Sequence, residues 1–255
     1  MERYQQARNV TLIGALINAI QGVIKLFFGW LGHSHALIAD GVHSLSDLIT
    51  DFLVIFASRY GSQGADIEHP YGHGRIETLA SIALAVLIIF AGIGIMFDAA
   101  EHFFTQKSID APQLYTLLIA IFSAVGNEIV FRITLSKAKL LQHQLLEANA
   151  WHHRSDAAAS AVVVVGIAGA LFGFVYLDVM AALVVGFLII KMGIELAWSS
   201  GRELVDTGLD EFTLNAIKNE IVHVPGVRAL HQLRTRSMAG SILLDVHILV
   251  GSQLS

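Results

Sequence analysis

Six apolar runs account for most of this chain, and they constrain its fold more than any other feature. They cover approximately residues 10–30, 36–60, 78–99, 114–135, 147–174 and 178–198. Each run has the length of about 20 residues that an α-helix needs to cross the hydrocarbon core of a bilayer. The frequent Gly and Ala of the last two runs suit close helix packing in lipid. The pattern predicts an all-α membrane domain of six transmembrane helices over residues 1–200.

Composition supports this class. Of the residues, 55% are hydrophobic and 15% are charged, whereas a typical soluble domain has about 25% charged residues. The chain has no Cys, so any bound metal must take nitrogen and oxygen ligands. The net charge of −5 gives no indication of nucleic-acid binding. The first apolar run is too long for a signal-peptide core, so it is expected to remain in the mature chain.

The basic residues predict the orientation of the helices. The basic residues of the loops lie almost all on one side of the predicted membrane domain, namely Arg3, Arg8, Arg59, Arg75, Arg132, Lys137, Lys139 and Arg202. The opposite connections carry Lys107 and little else. By the positive-inside rule both termini are expected in the cytoplasm. Lys25 and Lys191 lie within the runs and are expected to be structural side chains that snorkel.

The composition changes after the sixth run. Helical spacing over 210–223 is followed by alternating segments at 227–237 and 241–250, which favour two strands joined by a hairpin at 238–240. Residues 201–255 are therefore predicted to form a small α/β (α-β-β) cytoplasmic domain. It is too short to hold a core alone, and it is expected to be incomplete.

The second run carries Asp40, His43, Asp47 and Asp51 at offsets of three, four and four. On a helix these side chains share one stripe. Ionisable groups inside a membrane usually mark an ion pathway, a proton relay or a paired partner. Capping and pairing with other helices is the structural alternative. For Asp40 and Asp51 the two interpretations stay open.

Near the start of the fifth run lies the segment Trp-His-His-Arg-Ser-Asp, in which His152 and Asp156 repeat the spacing of His43 and Asp47. Two such pairs facing each other would form a site with two nitrogen and two oxygen ligands, which suits tetrahedral Zn²⁺. Two carboxylates would also offset a divalent charge. His153 points about 100° away and is expected at an interface rather than on the metal.

A third polar cluster lies in the loop Asp66-Ile-Glu-His-Pro-Tyr-Gly-His-Gly-Arg-Ile-Glu. Asp66, His69 and His73 are candidate metal ligands there. A solvated polar loop without a metal is the alternative, because loops are commonly polar.

The His43-to-Asp47 pair, the HPYGHGRIE loop and the HHRSD segment, in this order over six helices, resemble the cation diffusion facilitator family. The resemblance covers about residues 5–250 and implies a homodimeric antiporter that exports divalent cations from the cytoplasm in exchange for protons. By position it implies a transport site at His43, Asp47, His152 and Asp156.

The resemblance implies three further features. Asp66, His69 and His73 match a metal site near the cytoplasmic surface, and His231 and His247 match ligands of the cytoplasmic domain. Arg75 and Asp206 match a structural salt bridge near the dimer interface. In the family, the cytoplasmic domain usually continues with a second helix and a third strand, so the C-terminal segment of this sequence is expected to be incomplete. A His at position 43 resembles the zinc-preferring members, whereas an Asp there accompanies broader use of Zn²⁺, Cd²⁺ and Fe²⁺.

The predicted function is export of Zn²⁺, with Cd²⁺, Fe²⁺ or Co²⁺ as further candidates, by alternating access. Metal binding needs deprotonated ligands, and an unperturbed imidazole pKa of about 6.5 permits exchange of metal for protons. No organic cofactor is expected. The alternative is a metal-binding membrane sensor or scaffold without transport. An intramembrane zinc hydrolase is disfavoured because the chain has no HExxH, and short loops suggest the bacterial inner membrane.

Overall fold

The computed structural model describes residues 2–61, 66–70, 72–105, 111–141, 144–238 and 241–251. Lys107 and the hairpin residues 239–240 lie outside the described residues. The side chains of Asp51, Arg3, Arg8 and Arg59 lie outside them too. The expectations that rest on these groups stay predictions.

Each predicted apolar run corresponds to one long helix, and all but the fifth run lie wholly within their helix. The described residues form α1 (Glu2–Leu31), α2 (His35–Gly61), α3 (Gly74–Thr105), α4 (Leu114–Leu141), α5 (Gln144–Leu171) and α6 (Tyr176–Leu204). Among the described residues, five helices contain a stretch long and apolar enough to cross a membrane: Gly14–Leu31, Gly74–Thr105, Leu114–Leu140, Asn149–Leu171 and Tyr176–Leu204. The largely helical membrane architecture is thus confirmed. A sixth crossing, by the more polar α2, stays a prediction.

The fifth helix ends earlier than its apolar run predicts. α5 stops at Leu171 because Gly173 adopts a left-handed φ of 102°. The N–H of Phe174 then donates to the carbonyl of Gly169 at 3.0 Å, which is a Schellman-type helix end. Apolar composition continues through this turn, so hydropathy alone overestimates the helix.

Small residues allow close approach between α3 and α6. A Cβ added at Gly92 would lie 2.7 Å from Cγ1 of Ile190, and one added at Gly186 would lie 2.8 Å from Cγ of Met96. Both distances are too short for carbon atoms in contact. The two helices therefore meet where glycine removes the side chain, as expected for packing in lipid.

The chain divides into two compact units, residues 1–51 with 87–193 and residues 52–86 with 194–255. The first unit contains most of the membrane helices, in which α4 packs along α5 and α1 contacts both. The functional division predicted after residue 200 stays a prediction.

The C-terminal segment contains α7 (Glu211–Val222), β1 (Val227–Met238) and β2 (Ser241–Val250). The strands pair antiparallel in a two-stranded sheet, and α7 contacts β1. No residue of α7 is buried. The predicted α-β-β order is confirmed.

Candidate metal centre

The stripe on α2 places two ionisable groups inside the helical unit. His43 and Asp47 are one turn apart, and their exposed fractions are 8% and 7%. Nε2 of His43 lies 3.9 Å from Oδ2 of Asp47. Because water does not reach either group freely, each needs a partner to offset the cost of burial.

α5 supplies that partner. Asp156 is 5% exposed, and its Oδ1 lies 3.6 Å from Nε2 of His43. The ligand atoms of His43, Asp47 and Asp156 all lie within 4.8 Å of one another. Two ligands on a tetrahedral zinc are about 3.3 Å apart, since each lies about 2.0–2.1 Å from the metal. The three side chains leave space for an ion that draws them slightly together.

Two buried atoms at this cluster have unused bonding capacity. Oδ2 of Asp156 has no hydrogen-bond partner within the described part of the chain, and neither has Nδ1 of His43, the ring nitrogen other than the Nε2 that faces the carboxylates. Buried polar atoms are rarely left this way in native structures without a ligand, ion or water to satisfy them. The donor set of imidazole and carboxylate is chemically suited to a transition-metal cation.

The two adjacent histidines of α5 differ in exposure. His152 has 45% of its side chain exposed, and its Nε2 lies 4.0 Å from Oδ1 of Asp47 and 3.8 Å from Oδ2 of Asp156. His153, expected at an interface, is instead 4% exposed. Its Nε2 would lie 3.0 Å from a Cβ added at Gly14 of α1. The face of α5 that carries His153 packs on α1, so His153 is buried between these helices, and its exclusion from the metal site stays a prediction.

Lys25 forms a buried ion pair close to the cluster and does not snorkel. Its Nζ lies 2.9 Å from Oδ2 of Asp40, and each side chain is 1% exposed. Nζ also donates to Oγ of Ser44 at 3.0 Å, and Oγ of Ser160 donates to Asp40 at 3.0 Å. Asp40 is therefore engaged in charge pairing. A lysine so far inside an apolar run needs a carboxylate partner when it is buried. The position of Lys25 in the sequence could therefore have indicated such a pair.

The loop cluster also comes together. Oδ1 of Asp66 lies 3.3 Å from Nδ1 of His69, and its Oδ2 lies 3.5 Å from Nε2 of His73. The backbone N–H of His69 donates to Asp66 at 2.6 Å, and this hydrogen bond is the main reason why the pKa of Asp66 lies below its usual value. Gly72 has a φ of 83°, which lets the loop turn between the two imidazoles.

Arg75, at the start of α3, contacts the end of α6. Its Nη1 donates to the backbone carbonyls of Glu203 and Leu204, each at 2.8 Å. Its Nη2 is paired with Oδ1 of Asp206, a residue in the left-handed region with a φ of 56°. One guanidinium thus binds two carbonyl groups that the helix end leaves without intrahelical donors and one carboxylate.

His231 and His247 are register partners in the antiparallel β1–β2 pair, and both are exposed. Opposed residues on one sheet face have Cβ atoms about 4.5–5.5 Å apart. Among the described residues, no third His, Asp or Glu joins them in a three-ligand cluster. They form a pair of candidate ligands rather than a complete site.

Two family models match the chain. The model described as "Cation efflux transmembrane domain" matches residues 11–205, and "Cation efflux protein, cytoplasmic domain" matches residues 209–255. Together they follow the chain through the helices, the loop cluster and the C-terminal α-β-β segment.

Several characterised proteins are similar to the chain. Metal tolerance protein C1 of Arabidopsis thaliana is 33% identical over 96% of this chain, which spans 55% of that protein. The manganese efflux system proteins MneS and MneP of Bacillus subtilis are 32% and 29% identical over 100% of this chain, which spans 88% and 87% of their lengths. The chain therefore belongs to the cation efflux, or cation diffusion facilitator, family of multi-pass membrane transporters.

Proposed function

We propose that the protein exports a divalent metal cation, Zn²⁺ in the first place, from the cytoplasm in exchange for protons. The transport site would consist of His43, Asp47, His152 and Asp156. The observation that carries this proposal is the convergence of buried ligand atoms from two helices within 4.8 Å. His152, half exposed at the edge, would complete the set.

The donor set supports zinc. Two imidazoles and two carboxylates match the ligand types of tetrahedral Zn²⁺, and imidazole suits zinc better than the harder Mn²⁺ or Mg²⁺. Two carboxylates would also balance the divalent charge where burial makes an unpaired charge costly. Mn²⁺ is the second candidate cargo, because MneS and MneP are named as manganese efflux proteins. Cd²⁺, Fe²⁺ and Co²⁺ are the other candidate cations for transport.

Proton coupling would follow from ligand chemistry. A metal binds deprotonated imidazole and carboxylate, so its arrival releases protons and the arrival of protons releases it. Such a site would load Zn²⁺ while open to the cytoplasm and unload it when protons enter from the other side. Alternating access would need movement of the helices that carry the ligands.

The remaining expectations belong to the same proposal. All six long helices would cross the lipid bilayer with both termini in the cytoplasm, and the protein would function as a homodimer in a bacterial inner membrane. The loop cluster Asp66, His69 and His73 would bind metal near the cytoplasmic surface. His231 and His247 would bind metal in the C-terminal segment, and the Arg75–Asp206 pair would stabilise the region near the dimer interface.

The test is metal-dependent proton flux in proteoliposomes containing the full chain, with Zn²⁺, Cd²⁺, Fe²⁺, Co²⁺ and Mn²⁺ in parallel. Zn²⁺ should drive flux, and His43→Asp should extend activity toward Cd²⁺ or Fe²⁺. Binding of Zn²⁺ without any flux would overturn transport in favour of a metal-binding sensor or scaffold. If Mn²⁺ drives more flux than Zn²⁺, the transported ion would be Mn²⁺ rather than Zn²⁺.

A matched pair of variants tests the ligand assignment. His152→Ala should abolish zinc-driven flux, because it removes one of four donors. Ser155→Ala changes an exposed neighbour on the same helix, whose hydroxyl donates to the carbonyl of Trp151, and should retain flux. Normal flux in His152→Ala would remove His152 from the transport site.

A further inference from the structure

Another buried carboxylate, that of Asp178, positions the start of α2. Asp178 of α6 is 1% exposed, and it accepts hydrogen bonds from Oγ of Ser34 at 2.7 Å and from the backbone N–H of His35 at 2.6 Å. The N–H of Ala36 donates to the same carboxylate at 3.3 Å. These bonds satisfy amides at a helix N-terminus and hold the backbone of His35 in place.

The side chain of His35 meets two groups near the end of α3. Its Nδ1 lies 3.0 Å from Oδ2 of Asp98, and its ring centroid lies 4.4 Å from that of His102. Asp98 and His102 are one helical turn apart. The ligand atoms of His35, Asp98 and His102 all lie within 4.8 Å of one another, as do those of the buried cluster.

The hydrogen bonding of His102 favours a metal-ligating tautomer. Its Nδ1 lies 2.9 Å from the backbone carbonyl of Asp98, a contact that requires a proton on Nδ1. A neutral imidazole held in this way leaves the lone pair on Nε2. Histidines that bind metals are typically oriented by such a bond from the other ring nitrogen.

The exposure of the three side chains differs from that of the buried centre. His35 and Asp98 are 21% and 58% exposed, and His102 is 27% exposed. Two imidazoles and one carboxylate on one side, with solvent on the other, match a cation that keeps water in its remaining coordination positions. Such a site would exchange its ion more readily than an enclosed one.

We propose that His35, Asp98 and His102 form a separate, solvent-accessible binding site for a divalent transition-metal cation at the N-terminal end of α2. His35 precedes His43 by eight residues on this helix, which corresponds to about 12 Å of helix rise. The two sites are therefore too far apart to share one ion, and each would bind an ion of its own. A role for the site in receiving the exported metal rests on the proposed function, whereas the binding itself does not.

The test counts bound Co²⁺ by its absorption spectrum, using the full chain in detergent with His43→Ala and Asp47→Ala to silence the buried centre. Adding His102→Ala should remove one equivalent of bound Co²⁺. Adding Glu101→Gln, which removes a carboxylate from the neighbouring position on α3, should remove none. Because the buried centre is silenced throughout, the result does not depend on whether the protein transports metal.

Asp98→Asn provides a second variant should His102→Ala fail to fold, and it carries the same expectation of one lost equivalent. Unchanged Co²⁺ binding in the folded His102→Ala or Asp98→Asn protein would overturn the site. Equal loss in Glu101→Gln would overturn it too, since binding would then depend on general surface charge. If His102→Ala loses one equivalent of bound Co²⁺ but keeps normal zinc-driven flux, the binding site stands and its role in transport is excluded.

Discussion

Nζ of Lys25 and Oδ2 of Asp40 lie 2.9 Å apart between α1 and α2, with 1% of each side chain exposed. Single removal of either charge leaves the other buried without its partner. We therefore expect Lys25→Met or Asp40→Leu to destabilise the protein by about 3–5 kcal/mol. The double variant should recover most of this loss, because no buried charge remains. Thermal unfolding in detergent, followed by tryptophan fluorescence, measures all three proteins.

Lys137→Met is the control for the ion pair, because Lys137 is an exposed lysine on α4 and its loss should change stability little. If the double variant were no more stable than the single variants, the stabilising contribution would not arise from pairing of these two charges.

Glycine contacts between α3 and α6 yield a packing prediction. Gly92→Ala should destabilise the full chain, because its Cβ would lie 2.7 Å from Ile190 Cγ1 and 3.0 Å from the carbonyl oxygen of Gly186. Overpacking of this kind typically costs about 1–3 kcal/mol. Gly94→Ala, two residues along the same helix, meets no atom within 4 Å and should have no such cost. Thermal unfolding of the two variants side by side tests the contrast, and equal stability would contradict it.

Arg75 should not be replaceable by lysine. The guanidinium contacts the carbonyls of Glu203 and Leu204 together with Asp206, whereas a lysine ammonium lacks the planar fork that reaches several acceptors. Arg75→Lys should therefore increase hydrogen exchange over the last turn of α6 while leaving α7 unchanged. Arg202→Lys, in the same turn of α6, is the control. Wild-type protection in Arg75→Lys would show that charge alone is sufficient.

Asp210 makes the start of α7 dependent on pH. Its carboxylate accepts hydrogen bonds from the N–H of Thr213 at 3.0 Å and from its hydroxyl at 2.7 Å, and these bonds lower the pKa of Asp210 below its usual value. A lowered folded-state pKa means that the carboxylate stabilises α7 above the unfolded pKa of about 3.9. That contribution is lost as the pH falls through the lower folded value.

Hydrogen exchange of α7 measured at about pH 6 and about pH 3 should therefore reveal faster opening at the lower pH, after correction for intrinsic exchange rates. Asp210→Asn keeps a good N-cap residue without a titrating group, so its opening should change less between the two conditions. An identical pH response in both proteins would assign the effect to other carboxylates.

Local spacing predicted the pairing of His43 with Asp47, because residues four apart on one helix share a face whatever surrounds them. It also predicted the loop cluster, whose three members lie within eight positions of one another. In contrast, the exposure of His152 and His153 depends on which helices pack against α5. The helical spacing predicted that His153 points away from His152, but only the structure shows that α1 covers it.

Contacts between distant residues could not be predicted in the same way. Asp98 is 63 residues from His35, and nothing in either local pattern identifies the other as its partner. Likewise, Lys25 and Asp40 were each recognisable as charges in apolar helices, but their pairing depends on the packing of α1 against α2.

By itself, the sequence determined the helical membrane architecture, the family and the stripes of candidate ligands. These properties depend on hydrophobic length and helical period, which are local. Only the tertiary structure decided which stripes face each other, which charge neutralises Lys25, and which residues complete the cluster at the start of α2. The reason is physical: a buried charge is stabilised by whatever opposite charge or ligand lies within a few ångströms, and helix packing alone sets that neighbour.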